Sequence, residues 1–227
     1  MIFAIVPAAG KSERMRVPKL LLPLGQKRII EWVIDALEGS RVECTVVVVP
    51  PQAQELVDVV SHFQKAAVAQ LSHPTDDMRA SILHGIETVA NLARPSAPDA
   101  FLVALGDQPT ITSHAVDQVI FRFSENHSPI VMPTFAGRRG HPVLFDWSLV
   151  DQVRGIPKGR WLDYIVHLLA DRVDLVQIED GGVLLDVDTP DDYQQVRRLL
   201  DKRRDTGSMA PQGGSRGSGK ETASRGG

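Results

Sequence analysis

The chain has 227 residues, 25 basic against 28 acidic side chains (net charge −3 with histidine neutral) and 43% hydrophobic residues. That is a globular composition long enough for one generous domain or two small ones; it excludes wholesale disorder and argues against a dedicated nucleic-acid binder. The single cysteine, Cys44, excludes an intramolecular disulfide and any multi-cysteine zinc or iron–sulfur centre.

Taken in chain order, Ile2 to Val6 is a short apolar run stopped by Pro7, which predicts a buried strand. Arg28 to Glu38 has helical spacing in Ile29, Ile30, Val33, Ile34 and Leu37. Thr45 to Val49 is a β-branched run stopped by Pro50 and Pro51, a second buried strand. Helix is predicted for Gln52 to Phe63 and from Met78 to Val89, with a short strand between them at Ala67 to Leu71. Ala100 to Leu105 reads as strand and Ala115 to Phe123 as helix. Strands follow at Ile130 to Met132 and Pro142 to Phe145, then helix at Leu162 to Leu169. Val173 to Ile178 and, more weakly, Val183 to Leu185 read as strands, and Tyr193, Val196, Leu199 and Leu200 mark a last helix. Apolar strands alternating with helices predict one doubly wound, mainly parallel, Rossmann-like α/β domain over residues 1–203. Ligands of such sheets sit at the carboxyl ends of the strands.

No apolar run is long enough to span a bilayer, and the N-terminus lacks the basic region and cleavage site of a signal peptide, so a cytoplasmic protein with no membrane partner is expected. Residues 204–227 hold seven glycines and no Leu, Ile, Val, Phe, Trp or Tyr. Such a segment cannot offset its ordering entropy by burial, so a disordered tail is expected. Removing its four basic and two acidic side chains takes the net charge from −3 to −5. The tryptophans Trp32, Trp147 and Trp161 are expected to pack in the core or between helices.

Three segments carry chemistry. Pro7 to Leu20 follows the first strand; Ala8, Ala9 and Gly10 keep its backbone bare for phosphate oxygens, and Arg14 and Lys19, with Lys11 and Arg16, supply positive charge. A basic surface turn is the competing explanation. The segment is neither a Walker loop nor the Gly-x-Gly-x-x-Gly fingerprint of a dinucleotide site. In Leu105-Gly106-Asp107-Gln108-Pro109, Asp107 ends a strand, where a carboxylate either caps the next helix near Thr112 or suits Mg²⁺ held with substrate phosphates. In Asp186-Val187-Asp188-Thr189-Pro190-Asp191-Asp192, Thr189 as N-cap, Pro190 at the first helical position and Asp192 as capping-box acid explain all but Asp186 and Asp188.

The run from Pro7 to Lys19 resembles the signature Leu-Ala-Ala-Gly-x-Ser-x-Arg-Met-Gly-x-x-Lys of the MobA-like nucleotidyltransferases, departing at Pro7 and Arg16. Lys19-Leu20-Leu21-Leu22-Pro23-Leu24 resembles the molybdenum cofactor cytidylyltransferase branch. The landmarks spread over about residues 2 to 200. The resemblance implies a sheet of the nucleotide-diphospho-sugar transferase type and transfer of a nucleotidyl group from a nucleoside triphosphate to a phosphorylated acceptor. It implies nucleotide binding by Ala8, Ala9, Gly10, Ser12, Arg14 and Lys19, catalytic roles for Arg14, Lys19 and Asp107, and Mg²⁺ held by Asp107 and Asp188. Met78 to Gly85 resembles the family helix that helps hold base and ribose through Ser81 and Gly85, with Asp77 where glycine is common; a plain amphipathic helix explains the same pattern. Gly137 to Phe145 resembles the branch's Gly-x-x-Gly-His-Pro-Val, which implies acceptor contacts from Arg138, Gly140, His141 and Pro142; a solvated hairpin explains the arginines equally. Gly155-Ile156-Pro157-Lys158-Gly159-Arg160 only roughly resembles the family's Gly-Asp-x-Gly-Ala-Arg and lacks its aspartate. Ala9, where the guanylyltransferase branch has glycine, favours CTP over GTP. The implied acceptor is molybdopterin carrying molybdate, with a sugar or polyol phosphate as the alternative. A non-catalytic nucleotide or cofactor chaperone for a client molybdoenzyme is the alternative of another class.

Overall fold

The computed structural model describes residues 1–10, 17–75, 77–93, 100–157 and 159–205. The chain runs β1 (Ile2–Pro7), a 3-10 turn at Lys19–Leu21, β2 (Pro23–Leu24), β3 (Lys27–Arg28), α1 (Ile29–Glu38), β4 (Cys44–Val49), α2 (Gln54–Val60), β5 (Ala66–Gln70), α3 (Met78–Leu92) and β6 (Ala100–Val103). It continues through α4 (Ser113–Asn126), β7 (Ile130–Phe135), β8 (Arg138–Arg139), β9 (Val143–Asp146), α5 (Val150–Arg154), α6 (Asp163–Leu168), β10 (Val173–Gln177) and α7 (Pro190–Asp205). The main sheet has the order β10-β7-β9-β6-β1-β4-β5, with β8 paired to β7. β1, β4, β5 and β6 are parallel neighbours, and so are β7 and β10; β9 lies antiparallel between β6 and β7.

Side chains of one strand alternate between two covered faces. On one face Ala4, Val6, Val47, Val49, Leu102 and Leu144 meet apolar residues of α1, α2, α4 and α7. On the other, Phe3, Ile5, Val46, Val48, Phe101 and Phe145 meet those of α3, α5 and α6. The amphipathic spacing of α1 buries Ile29, Ile30, Val33, Ile34 and Leu37, as its sequence pattern predicts.

From β1 the chain winds outward through β4 to β5, then returns to place β6 on the other side of β1. The winding therefore reverses between β1 and β6. A crevice at the carboxyl ends of such a strand pair is where open α/β sheets take ligands.

The structure departs from the sequence expectation in four places. Val183–Leu185 is not a strand. Gly181–Leu184 forms a 3-10 turn whose Gly182 N–H donates to Asp180 Oδ1 (2.8 Å), and the segment docks on the loop after β6 through Thr110 Oγ1, which donates to Gly182 O (2.9 Å). The β2–β3 hairpin has no counterpart in the apolar pattern, because strands of two residues carry no period. Trp161 is 52% exposed rather than packed, while Trp32 donates from Nε1 to Leu24 O (2.9 Å) and Trp147 sets its edge against Phe101. The last helix runs to Asp205, past the expected domain end. No described helix is long and apolar enough to cross a membrane.

Candidate active site

Asp107 is delivered by β6, whose four residues are all buried and whose end is tied to β1 by Ala104 N–H donating to Ile5 O (3.1 Å). The helix that follows does not use Asp107 as its cap. Thr112 takes that role, accepting from the Ala115 N–H (3.2 Å), which removes the capping explanation for Asp107. The Asp107 carbonyl accepts instead from Val187 N–H (2.9 Å), and this bond fixes the segment carrying Asp186 and Asp188 beside the end of β6.

Asp188 lies just ahead of α7. The capping box forms as its sequence predicts: Asp192 Oδ2 accepts from Thr189 N–H (2.7 Å) and Thr189 Oγ1 (2.8 Å), and Asp192 N–H donates to Thr189 Oγ1 (3.2 Å). Asp192 Oδ2 also accepts from the Asp188 N–H (3.2 Å), so the cap holds the backbone of the aspartate before it. Tyr193, in the first turn of α7, donates its hydroxyl to Pro23 O in the β2–β3 hairpin.

Lys19 opens the 3-10 turn leading into that hairpin. Its Nζ donates to Asp107 Oδ2 (2.5 Å) and to Asp188 Oδ1 (2.7 Å). These partners lie 88 and 169 residues away in the chain. The three side chains are only 16%, 20% and 31% exposed, so their charges are weakly screened. Burial opposes the Lys19 charge, but Asp107 and Asp188 together outweigh it and hold the ammonium pKa above its ordinary value. Lys19 is therefore charged at neutral pH.

Two further groups surround the trio. Burial pushes the Asp186 carboxyl up; a hydrogen bond from Gln108 opposes this, and the charges of Asp107 and Asp188 add to it. Gln108 is 2% exposed and donates Nε2 to Asp186 Oδ1, while its Oε1 is buried with no partner among the described residues. Burial also lowers the His141 pKa, against the attraction of Asp107, so this imidazole is neutral at neutral pH. His141 donates its backbone N–H to Val183 O (3.0 Å), which brings the turn after β8 to the same end of the sheet.

The structure thus gathers Lys19, Asp107, Asp188 and His141 around the strand ends next to Ala8, Ala9 and Gly10. Ala8 and Ala9 are buried, with Ala8 N–H donating to Val48 O (2.8 Å), and a side chain at Gly10 would point into open space. Ser12 and Arg14, like Lys11 and Arg16, lie outside the described residues. Ser81 and Gly85 sit on α3, which covers the face opposite α1. Gly85 is at a close approach: a Cβ there would stand 2.5 Å from Ile5 Cγ2, so helix-to-sheet packing alone demands glycine. Asp77, which replaces a family glycine, is the N-cap of α3 and accepts from Arg79 N–H (2.9 Å). Arg138 and Arg139 are exposed on β8. Gly140 is buried against the 3-10 turn, where a Cβ would stand 2.4 Å from Val183 O, and Pro142 is buried at the entry to β9.

Sequence reasoning passed over Gln108 and Arg203. Gln108 lies inside the segment Leu105 to Pro109, and its neighbour Asp107 is the available signal. Arg203 Nη2 donates to both Asp180 oxygens (2.6 Å each) and Nη1 to Thr110 O (2.9 Å), clasping α7 to the loop after β6; no local pattern announced it.

The site is thus a set of strand ends in a mainly parallel α/β sheet, with small residues after the first strand and a lysine joined to two carboxylates. The match to the MobA-like NTP transferase domain over residues 4–173 places the chain in that family. The chain is 26% identical to the purine catabolism protein PucB of Bacillus subtilis, over 88% of this chain and 97% of that protein. It is 29% identical to the molybdenum cofactor cytidylyltransferase of Escherichia coli, over 85% of this chain and 93% of that one. Among solved structures, a nucleotidyl transferase from Methanothermobacter thermautotroptrophicus superposes with a TM-score of 0.74 at 24% identity, over 89% of this chain and 98% of that chain, and attests the fold.

Proposed function

We propose that the protein moves a nucleotidyl group from a nucleoside triphosphate, CTP by preference, to the phosphate of a small acceptor, molybdenum-loaded molybdopterin by preference, releasing pyrophosphate. The observation that supports the chemistry is the meeting of Lys19, Asp107 and Asp188 at the strand ends where the winding reverses. An acceptor phosphate oxygen bonds to the α-phosphorus as the bond from that phosphorus to the pyrophosphate oxygen breaks, so no enzyme nucleophile is needed. The Ala8 N–H is committed to Val48 O, so main-chain contact with the phosphates would fall to Ala9 and Gly10, where a side chain at Gly10 would meet only open space. Lys19, with Arg14 and the backbone around Ser12, offsets the charge that gathers on the leaving pyrophosphate.

The donor set suits Mg²⁺. Among the described residues no three His, Cys, Asp or Glu side chains form a metal cage, and a pair of carboxylates completed by substrate phosphates and water is how Mg²⁺ is usually held. Asp107 and Asp188 are the residues that would bind it, and the ion would supply neutralisation of charge on the reacting phosphates.

CTP is favoured because the Ala9 methyl stands where the guanylyltransferase branch has glycine, and because one relative bears the name cytidylyltransferase. The pterin acceptor rests on that same name; exposed Arg138 and Arg139 suit an anionic acceptor of any kind. A chaperone for a molybdoenzyme would need no convergent carboxylate pair.

The test is pyrophosphate release with CTP, GTP, ATP and UTP, each crossed with molybdenum-loaded molybdopterin and a panel of sugar and polyol phosphates, with Mg²⁺ present. Release with CTP and the pterin alone is expected. Release with a sugar phosphate would replace the acceptor and keep the mechanism. Nucleotide binding without release in every well would overturn the transferase reading in favour of the chaperone.

A further inference from the structure

We propose that Lys19 is a built-in counter-ion that occupies the cation position between Asp107 and Asp188 in the nucleotide-free protein, and leaves it when a divalent ion enters with nucleotide. The inference rests on the reading of Asp107 and Asp188 as metal ligands and adds a competition that this reading alone does not contain.

The geometry carries it. One ammonium is within hydrogen-bond reach of an oxygen from each carboxylate, at 2.5 and 2.7 Å. A cation that bridges the same two oxygens, Asp107 Oδ2 and Asp188 Oδ1, enters the space the ammonium spans. Lys19 and a divalent ion cannot share it, because two cations that close in a half-buried site repel strongly. Without a counter-charge, Asp107, Asp188 and the neighbouring Asp186 would place three carboxyl groups together at the end of β6, and the ammonium relieves that crowding. Lysine suits the exchange: its charge is compact and sits on a flexible four-carbon stem, so it can turn from carboxylate to phosphate without backbone movement. The backbone at Lys19 is held by the 3-10 turn, with Leu21 N–H donating to Pro18 O (3.0 Å) and Leu22 N–H to Lys19 O (3.1 Å), so the exchange needs only the side chain to move. Arriving nucleotide phosphates offer Lys19 a new anion at the moment the metal takes its old ones.

The consequence is an ordered preference. Metal alone competes with Lys19 and binds weakly; metal with nucleotide binds well because the displaced ammonium finds a partner.

The experiment titrates Mn²⁺ alone into the full chain, following the spectrum of the free aqua ion by electron paramagnetic resonance, for the wild type, Lys19→Met and Asp107→Asn. Lys19→Met is expected to bind Mn²⁺ about tenfold more tightly than wild type, because its carboxylates are no longer occupied by a competing cation. Equal or weaker binding by Lys19→Met, with binding lost in Asp107→Asn, would overturn the competition and leave the metal site standing. Failure of Mn²⁺ to bind the wild type both alone and with a non-hydrolysable CTP analogue would overturn the metal site itself, and this proposal with it. A second measurement uses only the wild type and does not depend on a variant folding. Acetylation of Lys19 by an amine-reactive reagent, read by peptide mass spectrometry, is expected to speed up on adding Mn²⁺; an unchanged rate at saturating Mn²⁺ would show that the ammonium stays in place and overturn the proposal.

Discussion

The strands β5, β4, β1 and β6 run parallel and are joined by α1, α2 and α3, helices of 10, 7 and 15 residues, whereas β9, β7, β8 and β10 mix directions and are joined by turns and short helices such as α5 and α6, of 5 and 6 residues. The first region is stabilised by repeated helix-on-sheet burial, and its strand ends carry the small residues after β1 and the carboxylate after β6. The second adds particular contacts: the backbone approach of Gly140 to Val183, the Val187 N–H on the Asp107 carbonyl, and the Arg203 guanidinium on Thr110 O and the Asp180 carboxylate. A regular region tolerates change spread over many contacts. An irregular one concentrates its stability in a few residues, and those residues also place Asp188 and His141.

Four experiments press on that contrast, the largest effect first. Asp107→Asn keeps the side-chain shape, so kcat is expected to fall by on the order of 10³-fold with the melting temperature nearly unchanged. Turnover within tenfold of wild type would take Asp107 out of the reacting site. Gly140→Ala puts a methyl group 2.4 Å from a carbonyl oxygen that cannot retreat easily. A loss of about 1–3 kcal/mol in denaturant unfolding is expected, and a neutral result would show that the irregular region is looser than its packing implies.

The third concerns His141. Its imidazole resists protonation when buried, while in the unfolded chain it takes up a proton near pH 6.5. The unfolded state therefore binds more protons as the pH falls below that value, and stability should decline there by up to about 1.4 kcal/mol per pH unit. His141→Gln should flatten this part of the stability–pH curve; an unaltered slope would assign the acid sensitivity to another group. The fourth removes residues 206–227. From composition alone no change in melting temperature or pyrophosphate release is expected, and a clear drop in either would show that the segment packs on the domain.

The regular region was largely legible because burial on both faces leaves long apolar runs and helical spacing in the chain. The irregular region was legible only in pieces. Val143 to Phe145 looks the same to a pattern search whether the strand runs parallel or antiparallel, so the insertion of β9 between β6 and β7 was not foreseen. Val183 and Leu184 look like strand, but the two glycines before them let the backbone turn tightly onto the loop after β6. The candidate site residues could be named one by one, through strand-end position and family resemblance. Their convergence could not be read, since nothing local to Lys19 specifies Asp107 or Asp188, and the orphaned Oε1 of Gln108 exists only once the segments have met.

The order in which the chain is made gives the position of Asp188 a further meaning. The family match ends at residue 173, before β10 is complete, yet the second carboxylate and the helix that braces it lie beyond. A chain emerging from the ribosome has every strand of the sheet behind it before Asp188 is made. Lys19 and Asp107 must wait for that residue to find their third member. An interrupted chain ending near β10 would hold the parallel strands and the open backbone after β1, but only one of the two carboxylates. The site is thereby a late product of the chain relative to the sheet: the carboxylate pair exists only once synthesis has passed Asp188.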